Sequence, residues 1–215
     1  MTRDHSPTDI QLTIATACDH LAARDARLKR LIDIFGPPNL NPDRDPYQAL
    51  VRSIIFQQIS GKAAQAILQR FLALFPGDSF PSAARLAQAE AAGLRAAGLS
   101  QRKAEYVIAI AQAFLETDFQ QEGFREMSDQ EVSERLTRIR GVGQWTADMF
   151  MIFTLARLDV LPLSDQGIRN GMRRFFELEN HLIEAEMLRL TEHWKPYRSV
   201  ASWYMWKVVD EEFTW

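Results

Sequence analysis

The 215-residue sequence predicts an all-α protein built from about ten helices. Apolar side chains recur at spacings of three and four residues along nearly every segment, which is the period of one helix face. Signals that start and end helices fall between these segments, and no alternating strand pattern with a hairpin turn stands out. With 47% hydrophobic and 25% charged residues, the composition is that of a globular domain with a buried core.

The first two predicted helices come from the N-terminal part of the chain. Cys18 follows Ile10 and Ile14 at helical spacing, which predicts a helix with the thiol buried on its apolar face. Asp25 is a suitable N-cap for the next helix, and the run Gly36-Pro37-Pro38 ends it. The apolar face of this second helix carries Leu28, Leu31, Ile32 and Phe35.

Four more helices are predicted before residue 116. Asp45-Pro46 combines a capping carboxylate with a proline at the first helical position, where its missing N–H does no harm. A further helix begins after Gly61. Ser82 begins an alanine-rich helix that we expect to end near Gly93, and Ser100 begins another.

The remaining helices follow a polar stretch from Glu116 to Met127, which is predicted to be a loop. Ser128 and Glu131 form a capping box, in which the hydroxyl and the carboxylate each satisfy a backbone amide of the helix start. Further helices are predicted after Asp165, around Met187 and from Val200 to Val208.

The composition excludes several classes of site. A single cysteine, Cys18, rules out an internal disulfide, a four-thiolate zinc site and a four-thiolate iron–sulfur cluster. The four histidines lack a metal-ligand spacing, so we expect no transition-metal chemistry and no catalytic cofactor. No apolar run is long enough for a membrane span and no signal-peptide pattern is present, which predicts a cytoplasmic, nucleoid-associated protein, or a nuclear one in a cell with a nucleus.

The run Gly141-Val142-Gly143 separates a predicted helix from Asp129 to Arg140 and another that starts near Gln144. Such glycines permit positive φ, and the free N–H groups of the second helix attract an anion such as a phosphate. A tight turn between two helices explains the same run, so both interpretations stay open. The arginines around this turn, with only Glu134 opposing them, either bind phosphates or form a solvated face: Arg135, Arg138 and Arg140.

Asp165 follows Pro162 and stands where a new helix starts. An aspartate in that place is commonly an N-cap. A helix N-terminus also keeps a carboxylate ionised, which suits a group that faces a developing positive charge. The residues alone leave both roles open.

Together, the glycine turn and the aspartate resemble a known family. The patterns are Ile139-x-Gly141-Val142-Gly143-x-x-Thr146-Ala147 and Pro162-x-x-Asp165-x-Gly167-Ile168-Arg169, and they are similar to the helix–hairpin–helix DNA glycosylases with an essential aspartate. Three further stretches, Ile54 to Ala64, Gly98 to Tyr106 and His193 to Trp206, resemble the 3-methyladenine DNA glycosylase II branch. The resemblance covers most of the chain from Asp25 onward.

This resemblance implies two helical lobes that flank a cleft. Residues 45–158 would form the central lobe, with the helix–hairpin–helix at about 129–156, while residues 1–44 and 159–215 would form the second. Asp165 would lie in the cleft. The chain begins almost directly with helices, so we expect it to lack the N-terminal β-domain of some members.

The resemblance also implies a reaction, the excision of alkylated bases, with N3- or N7-alkylpurines as the expected substrates, in base excision repair. Asp165 would support cleavage of the N-glycosidic bond, and a carboxylate there would stabilise positive charge on the sugar. Asp148 is the rival carboxylate, with an ion pair to an arginine as its other role. Bifunctional relatives carry a lysine where this chain has Gln144, so no lyase step is expected.

Three segments are expected to contact double-stranded DNA that contains a damaged base. The hairpin amides near Gly141, Val142 and Gly143, with Thr146 beside them, would hold a phosphate. The loop Leu99-Ser100-Gln101-Arg102 matches the family's minor-groove wedge, with Gln101 at its tip. Gln57, Gln58 and Ser60 would contact the opposite side of the lesion or cap helices. Relatives also place an alkali cation against hairpin carbonyls, which here would belong to Thr137, Ile139 and Val142.

Aromatic residues are expected to line the pocket for the flipped base. Trp145 and Trp206 match pocket positions of similar enzymes, and Met149 and Tyr204 are further candidates. Trp194, Trp203 and Trp206 lie on successive helical turns, so most of them are expected in the core. Two alternatives remain: a glycosylase for deaminated or etheno-type bases, and a non-catalytic DNA-binding module. The protein is expected to be a monomer.

Overall fold

The computed structural model describes residues 7–40, 45–116 and 121–210. The chain divides into two compact units, Met1–Pro42 with Met151–Trp215 and Asp43–Phe150. The sequence-based boundary at residue 158 differs from this division, because residues 151–158 group with the first unit. Within the described residues the regular structure is entirely helical, which confirms the predicted fold class. No described helix is long and apolar enough to cross a membrane.

The first unit is built on helices from both ends of the chain. Its helices are α1 (Pro7–Arg24), α2 (Ala26–Phe35), α11 (Gln166–Phe175), α12 (Glu184–Leu190) and α13 (Arg198–Asp210), with a 3₁₀ turn at Glu192–Trp194. Helices α11 and α13 pack closely, since a Cβ atom on Gly171 would overlap the carbonyl of Met205. The core of this unit includes Ile14, Leu21, Leu28, Leu31, Phe175 and Trp194, all fully buried.

A buried carboxylate ties α2 to the 3₁₀ turn. Asp25 is the N-cap of α2 as predicted, and its Oδ1 accepts from the backbone N–H of Arg27. Its Oδ2 lies 3.0 Å from Nε2 of His193 and accepts from Nε1 of Trp194 at 3.3 Å. Burial acts to raise the pKa of Asp25, but these hydrogen bonds and the Arg27 charge outweigh it and hold the pKa below its ordinary value of 3.8.

The second unit contains α3 to α9 and most of α10. The bounds are α3 (Pro46–Phe56), α4 (Gly61–Ala73), α5 (Ala83–Ala87), α6 (Ala91–Ala96), α7 (Gln101–Ala113), α8 (Gln121–Glu126), α9 (Asp129–Thr137) and α10 (Gln144–Phe153). Helix α7 packs against α3, α5 and α6. The predicted caps Asp45, Ser82, Ser100 and Ser128 are all confirmed, each accepting a backbone N–H of the following turn.

Two predictions for this unit are wrong. The single alanine-rich helix is two short helices: α5 ends at Ala87 with Gln88 as its C-cap, and α6 starts after its N-cap Glu90, so that Leu86 and Leu94 are each buried. The polar stretch expected to be a loop contains α8. Phe124 anchors it, fully buried with its ring 5.2 Å from that of Phe150. One buried aromatic ring is enough to order this helix, although its sequence shows no apolar periodicity.

Candidate functional site

The glycine turn is a tight connection held from below by an aromatic ring. Helix α9 ends at Thr137, three residues earlier than expected, and the N–H of Val142 donates to the carbonyl of Ile139 at 3.0 Å. Gly141 has φ of 96°, and a Cβ atom there would overlap the ring of Tyr106 on α7. Only glycine therefore fits this position.

The outer side of the turn is open. A Cβ atom on Gly143 would meet nothing within 4 Å, while Val142 and Ile139 are buried and anchor the turn from inside. Helix α10 begins at Gln144, so the amides of its first turn lack carbonyl partners within the helix. The turn thus combines a rigid backbone with N–H groups that an anion attracts.

More carboxylates lie near the arginines of the turn than the sequence indicated. Arg140 donates to Oε2 of Glu105 on α7 at 2.7 Å, so Glu134 is not their only opposing carboxylate. The other oxygen of Glu105 accepts from Gln101 Nε2 at 2.7 Å. Glu105 therefore connects the hairpin with the loop expected to act as a wedge.

In that loop, the side chains point in different directions. Leu99 is only 4% exposed and belongs to the core, and Ser100 is the N-cap of α7. Gln101 and Arg102 are exposed. The exposed tip of the loop is therefore polar, as expected.

The start of α10 is fixed by a chain of side-chain hydrogen bonds. Gln144 accepts from the hydroxyl of Ser133 at 2.9 Å and donates to Oδ1 of Asp148 at 2.8 Å. Asp148 is buried, and its expected ion pair with an arginine stays a prediction. At the position where a lysine would be expected for a lyase step, the amide of Gln144 links α9 and α10.

Thr146 points inward. The residue is 2% exposed, and its hydroxyl accepts from Nε2 of Gln57 at 3.1 Å. The expected place of Thr146 beside a bound phosphate stays a prediction. Gln57 and Ser60 occupy capping positions at the end of α3 and the start of α4, as one alternative predicted, and Gln58 between them is exposed with φ of 56°.

Asp165 lies in the first unit, at the N-terminus of α11. Its Oδ1 accepts from the backbone N–H of Ile168 at 2.8 Å and from Nε1 of Trp206 at 3.0 Å. The residue is 9% exposed. It is therefore both an N-cap and a carboxylate held in a fixed orientation by a neighbouring indole.

Trp206 also forms an aromatic pair that sequence reasoning missed. The ring of Phe153 stacks on it, with centroids 5.8 Å apart and planes inclined by 27°. Phe153 is 40% exposed, so its ring is accessible beside the partly buried indole. A Cβ atom on Gly167 would lie 2.9 Å from Cδ1 of Trp206, so this glycine leaves room for the indole. The signal for Phe153 was its place at the end of an apolar helix.

The other candidates for the base pocket differ in how far they are buried. Tyr204 is fully buried and its hydroxyl donates to the carbonyl of Gly36 at 2.9 Å, so its assignment to the pocket is wrong. Trp194 is a core residue, as expected for most of the tryptophans, whereas Trp203 is partly buried. Trp145, in the second unit, is 38% exposed, and Met149 is partly buried.

Among the described residues, no group of three histidine, cysteine, aspartate or glutamate side chains is placed to hold a metal ion. The carbonyls of Thr137, Ile139 and Val142 belong to the end of α9 and the hairpin. That of Ile139 already accepts one hydrogen bond, from Val142, and a carbonyl oxygen has a second lone pair for a cation.

Comparisons with known proteins show the family of the chain. A family model described as "HhH-GPD superfamily base excision DNA repair protein" matches residues 51–196. The chain is 35% identical to DNA-3-methyladenine glycosylase 1 of Schizosaccharomyces pombe, over 93% of this chain and 89% of the relative. Two solved structures resemble it at a TM-score of 0.80. One is 3-methyladenine DNA glycosylase from S. pombe in complex with abasic DNA, at 35% identity, covering 93% of this chain and 100% of that one. The other is DNA-3-methyladenine glycosidase from Bacillus halodurans, at 34% identity, covering 90% and 89%.

Proposed function

Because the chain belongs to the HhH-GPD superfamily of base excision DNA repair proteins, we propose that it is a monofunctional DNA glycosylase that excises alkylated bases. Its substrates are N3- and N7-alkylpurines in double-stranded DNA. The bond between C1′ of the deoxyribose and the base nitrogen breaks, and the cationic base takes the bonding electrons and leaves as a neutral molecule. The oxygen of water bonds to C1′, and its proton passes through the carboxylate to solvent. The similarity to relatives named for 3-methyladenine supports this substrate class.

The observation that carries the proposal is the fixed carboxylate of Asp165. Cleavage builds positive charge on the sugar, and a carboxylate that is already oriented stabilises this charge without reorganising. Two donors, the amide of Ile168 and the indole of Trp206, hold Oδ1 in place. The carboxylate also orients or deprotonates the attacking water.

The stacked pair of Trp206 and Phe153 provides the surface for the base. An N-alkylated purine carries positive charge, and an electron-rich indole face attracts such a ring by about 0.5–2 kcal/mol more than a neutral one. Trp145, the other tryptophan among the pocket candidates, is 38% exposed. A modest preference suffices because alkylation has already weakened the glycosidic bond.

DNA binding is assigned to the second unit. The hairpin amides around Gly143 hold a backbone phosphate, and Arg138 and Arg140 add sequence-independent attraction. The target nucleotide leaves the duplex to reach Asp165. Gln101 and Arg102 act at the wedge loop, and Gln58 and Ser60 face the other side of the lesion. The protein acts on DNA as a monomer.

No strand cleavage accompanies base release. A lyase step requires an amine that forms a Schiff base with the sugar, and Gln144 cannot supply one. Its amide is moreover engaged with Ser133 and Asp148.

An alkali cation, Na⁺ or K⁺, binds the carbonyls of Thr137, Ile139 and Val142 when DNA is bound. Helix α9 ends at Thr137, so its last carbonyls have no further helical amide to pair with. Replacing both ions with a bulky organic cation at equal ionic strength is expected to weaken DNA binding; equal affinity in both buffers would remove this site.

The proposed function is tested with duplexes that each contain one defined lesion, scored separately for free base and for strand nicking. We expect free base from alkylpurine duplexes and no nicking. Release from deaminated or etheno-type lesions alone would keep the glycosylase and overturn the alkylpurine class.

The role of Asp165 is tested with Asp165→Asn, which keeps the size of the side chain. Base release is expected to fall about 10²- to 10⁴-fold while DNA binding persists. Asp148→Asn is the matched control, a second buried carboxylate, and is expected to retain base release. Wild-type rates in Asp165→Asn would remove this residue from the mechanism and favour a binding module.

A further inference from the structure

Lys103 lies directly after the wedge loop, on the first turn of α7, yet its ammonium group turns towards the protein. Its Nζ donates to the carbonyl of Ile55 at 2.8 Å and to the carbonyl of Gln57 at 2.7 Å. Partial burial lowers the pKa of this lysine. Both acceptors are main-chain oxygens at the end of α3, where the helix dipole favours a cation.

The segment that Lys103 holds is conformationally demanding. Helix α3 ends at Phe56, and Gln57 already has extended backbone angles (φ −55°, ψ 134°). Gln58 then adopts φ of 56°. This conformation costs a non-glycine residue free energy, so it persists only where the surrounding structure imposes it. The two hydrogen bonds from Lys103 fix the chain immediately before this position.

The same segment reaches the hairpin. The side chain of Gln57 donates to the hydroxyl of Thr146, which is buried in the first turn of α10. A continuous path therefore runs from Lys103 through Gln57 to Thr146. It connects α7, the α3–α4 turn and the start of α10, all within the second unit.

We propose that Lys103 is a positioning residue and not a phosphate ligand. Through Gln57 it fixes the position of the α3–α4 turn relative to the first turn of α10, so that both can contact DNA together. This role rests on the proposed function, because the turn and the hairpin are assigned to DNA there. Arg102, its exposed neighbour, is the residue of this pair that faces DNA.

Salt dependence separates the two roles. A side chain that neutralises a phosphate contributes about 0.9 to the slope of log affinity against log salt. We expect Lys103→Met to leave this slope unchanged and Arg102→Met to reduce it by about that amount. Lys29→Met, which removes an exposed charge from the first unit, controls for net charge. A slope reduced by about 0.9 in Lys103→Met would overturn the positioning role.

A double-mutant cycle tests the path itself. Lys103→Met and Thr146→Val are each expected to slow single-turnover base release about tenfold or more, because small displacements of a binding element are costly. The double variant should be no slower than the slower single variant, since both act through Gln57. Multiplied losses would show independent roles and overturn the proposal.

Every rate is measured well below the unfolding temperature of each variant, so that a loss of activity does not come from unfolding. If Lys103→Met does not fold, Gln57→Met replaces it in the cycle, where the same non-additivity with Thr146→Val is expected. A wild-type protein that binds DNA but releases no base would refute the proposed function alone; the salt slopes and a cycle read on DNA affinity would still decide the role of Lys103.

Discussion

Trp206 supplies two separate groups to the candidate site. Its indole N–H donates to Asp165, and its ring face stacks on Phe153. The first group orients a carboxylate, and the second belongs to the surface assigned to the base. A substitution that removes one group and keeps the other can therefore distinguish orientation from base recognition.

Trp206→Phe keeps an aromatic ring beside Phe153 but removes the donor to Asp165. We expect single-turnover base release to fall about tenfold, because Asp165 loses one of the two donors that hold its Oδ1. Affinity for lesion-containing DNA should change much less, as measured by fluorescence anisotropy. Trp203→Phe on the same helix is the control and should release base at the wild-type rate. Equal rates for both variants would show that Ile168 alone orients the carboxylate.

At the residue scale, the sequence predicted the N-cap position of Asp165 better than the direction of the aromatic side chains near it. The catalytic role of Asp165 was assigned through the family resemblance, because a carboxylate at a helix N-terminus is also an ordinary N-cap. Tyr204 and Trp206 lie two residues apart on α13 and point to different surroundings, one into the core and one to Asp165. Both are large aromatic residues with a polar end, so composition and spacing could not separate them. Only packing decides which ring remains exposed.

At the element scale, the hairpin depends on two glycines for different reasons. Gly141 needs positive φ and the absence of a Cβ atom above Tyr106, whereas Gly143 lies in open space with no positive φ. The two positions are thus equivalent in sequence and very different in structure.

Gly141→Ala is expected to lower the free energy of unfolding by about 2–4 kcal/mol, the sum of a left-handed backbone and overlap with a packed ring. Gly143→Ala should change it by less than about 1 kcal/mol. Urea denaturation of both variants measures the difference. Similar losses at the two positions would mean that Tyr106 moves aside and that the turn is less rigid than its contacts indicate.

Helix starts were predictable where a side chain caps them. Asp25, Asp45, Ser100 and Ser128 each mark a helix start, because the capping hydrogen bond is local and needs no tertiary partner. Helix α8 and the break between α5 and α6 depend on long-range burial, so local signals did not reveal them. The position of Lys103 is of the same kind, since its acceptors lie 48 and 46 residues earlier.

At the scale of the whole molecule, the local charge at the hairpin is opposite in sign to the net charge of the chain. The formal net charge is −3, yet three arginines surround the hairpin. Glu105 already neutralises part of this cluster through Arg140. We therefore expect DNA binding to depend on a few oriented groups and on backbone amides more than on overall attraction.

Acid stability is a property of the first unit as a whole, because Asp25 joins α2 to the 3₁₀ turn and to the buried Trp194. Its pKa in the folded protein lies below the ordinary value of 3.8. The unfolded chain therefore takes up a proton first as the pH falls. The stabilisation from Asp25 is complete above that ordinary value and is lost as the pH falls through the folded-state pKa.

Asp25→Asn keeps a capping oxygen for α2 but cannot titrate. We expect the wild-type protein to be more stable than this variant near neutral pH, and the difference in free energy of unfolding to shrink as the pH falls below about 4. Asp33→Asn on α2 is the control, because Asp33 is an exposed carboxylate that pairs with the exposed Lys29, and its difference should stay small throughout. Urea denaturation at a series of pH values measures both. If the difference for Asp25→Asn stays constant or grows in acid, His193, Arg27 and Trp194 do not stabilise the charged form of this carboxyl. Packing would then hold α2 to the 3₁₀ turn.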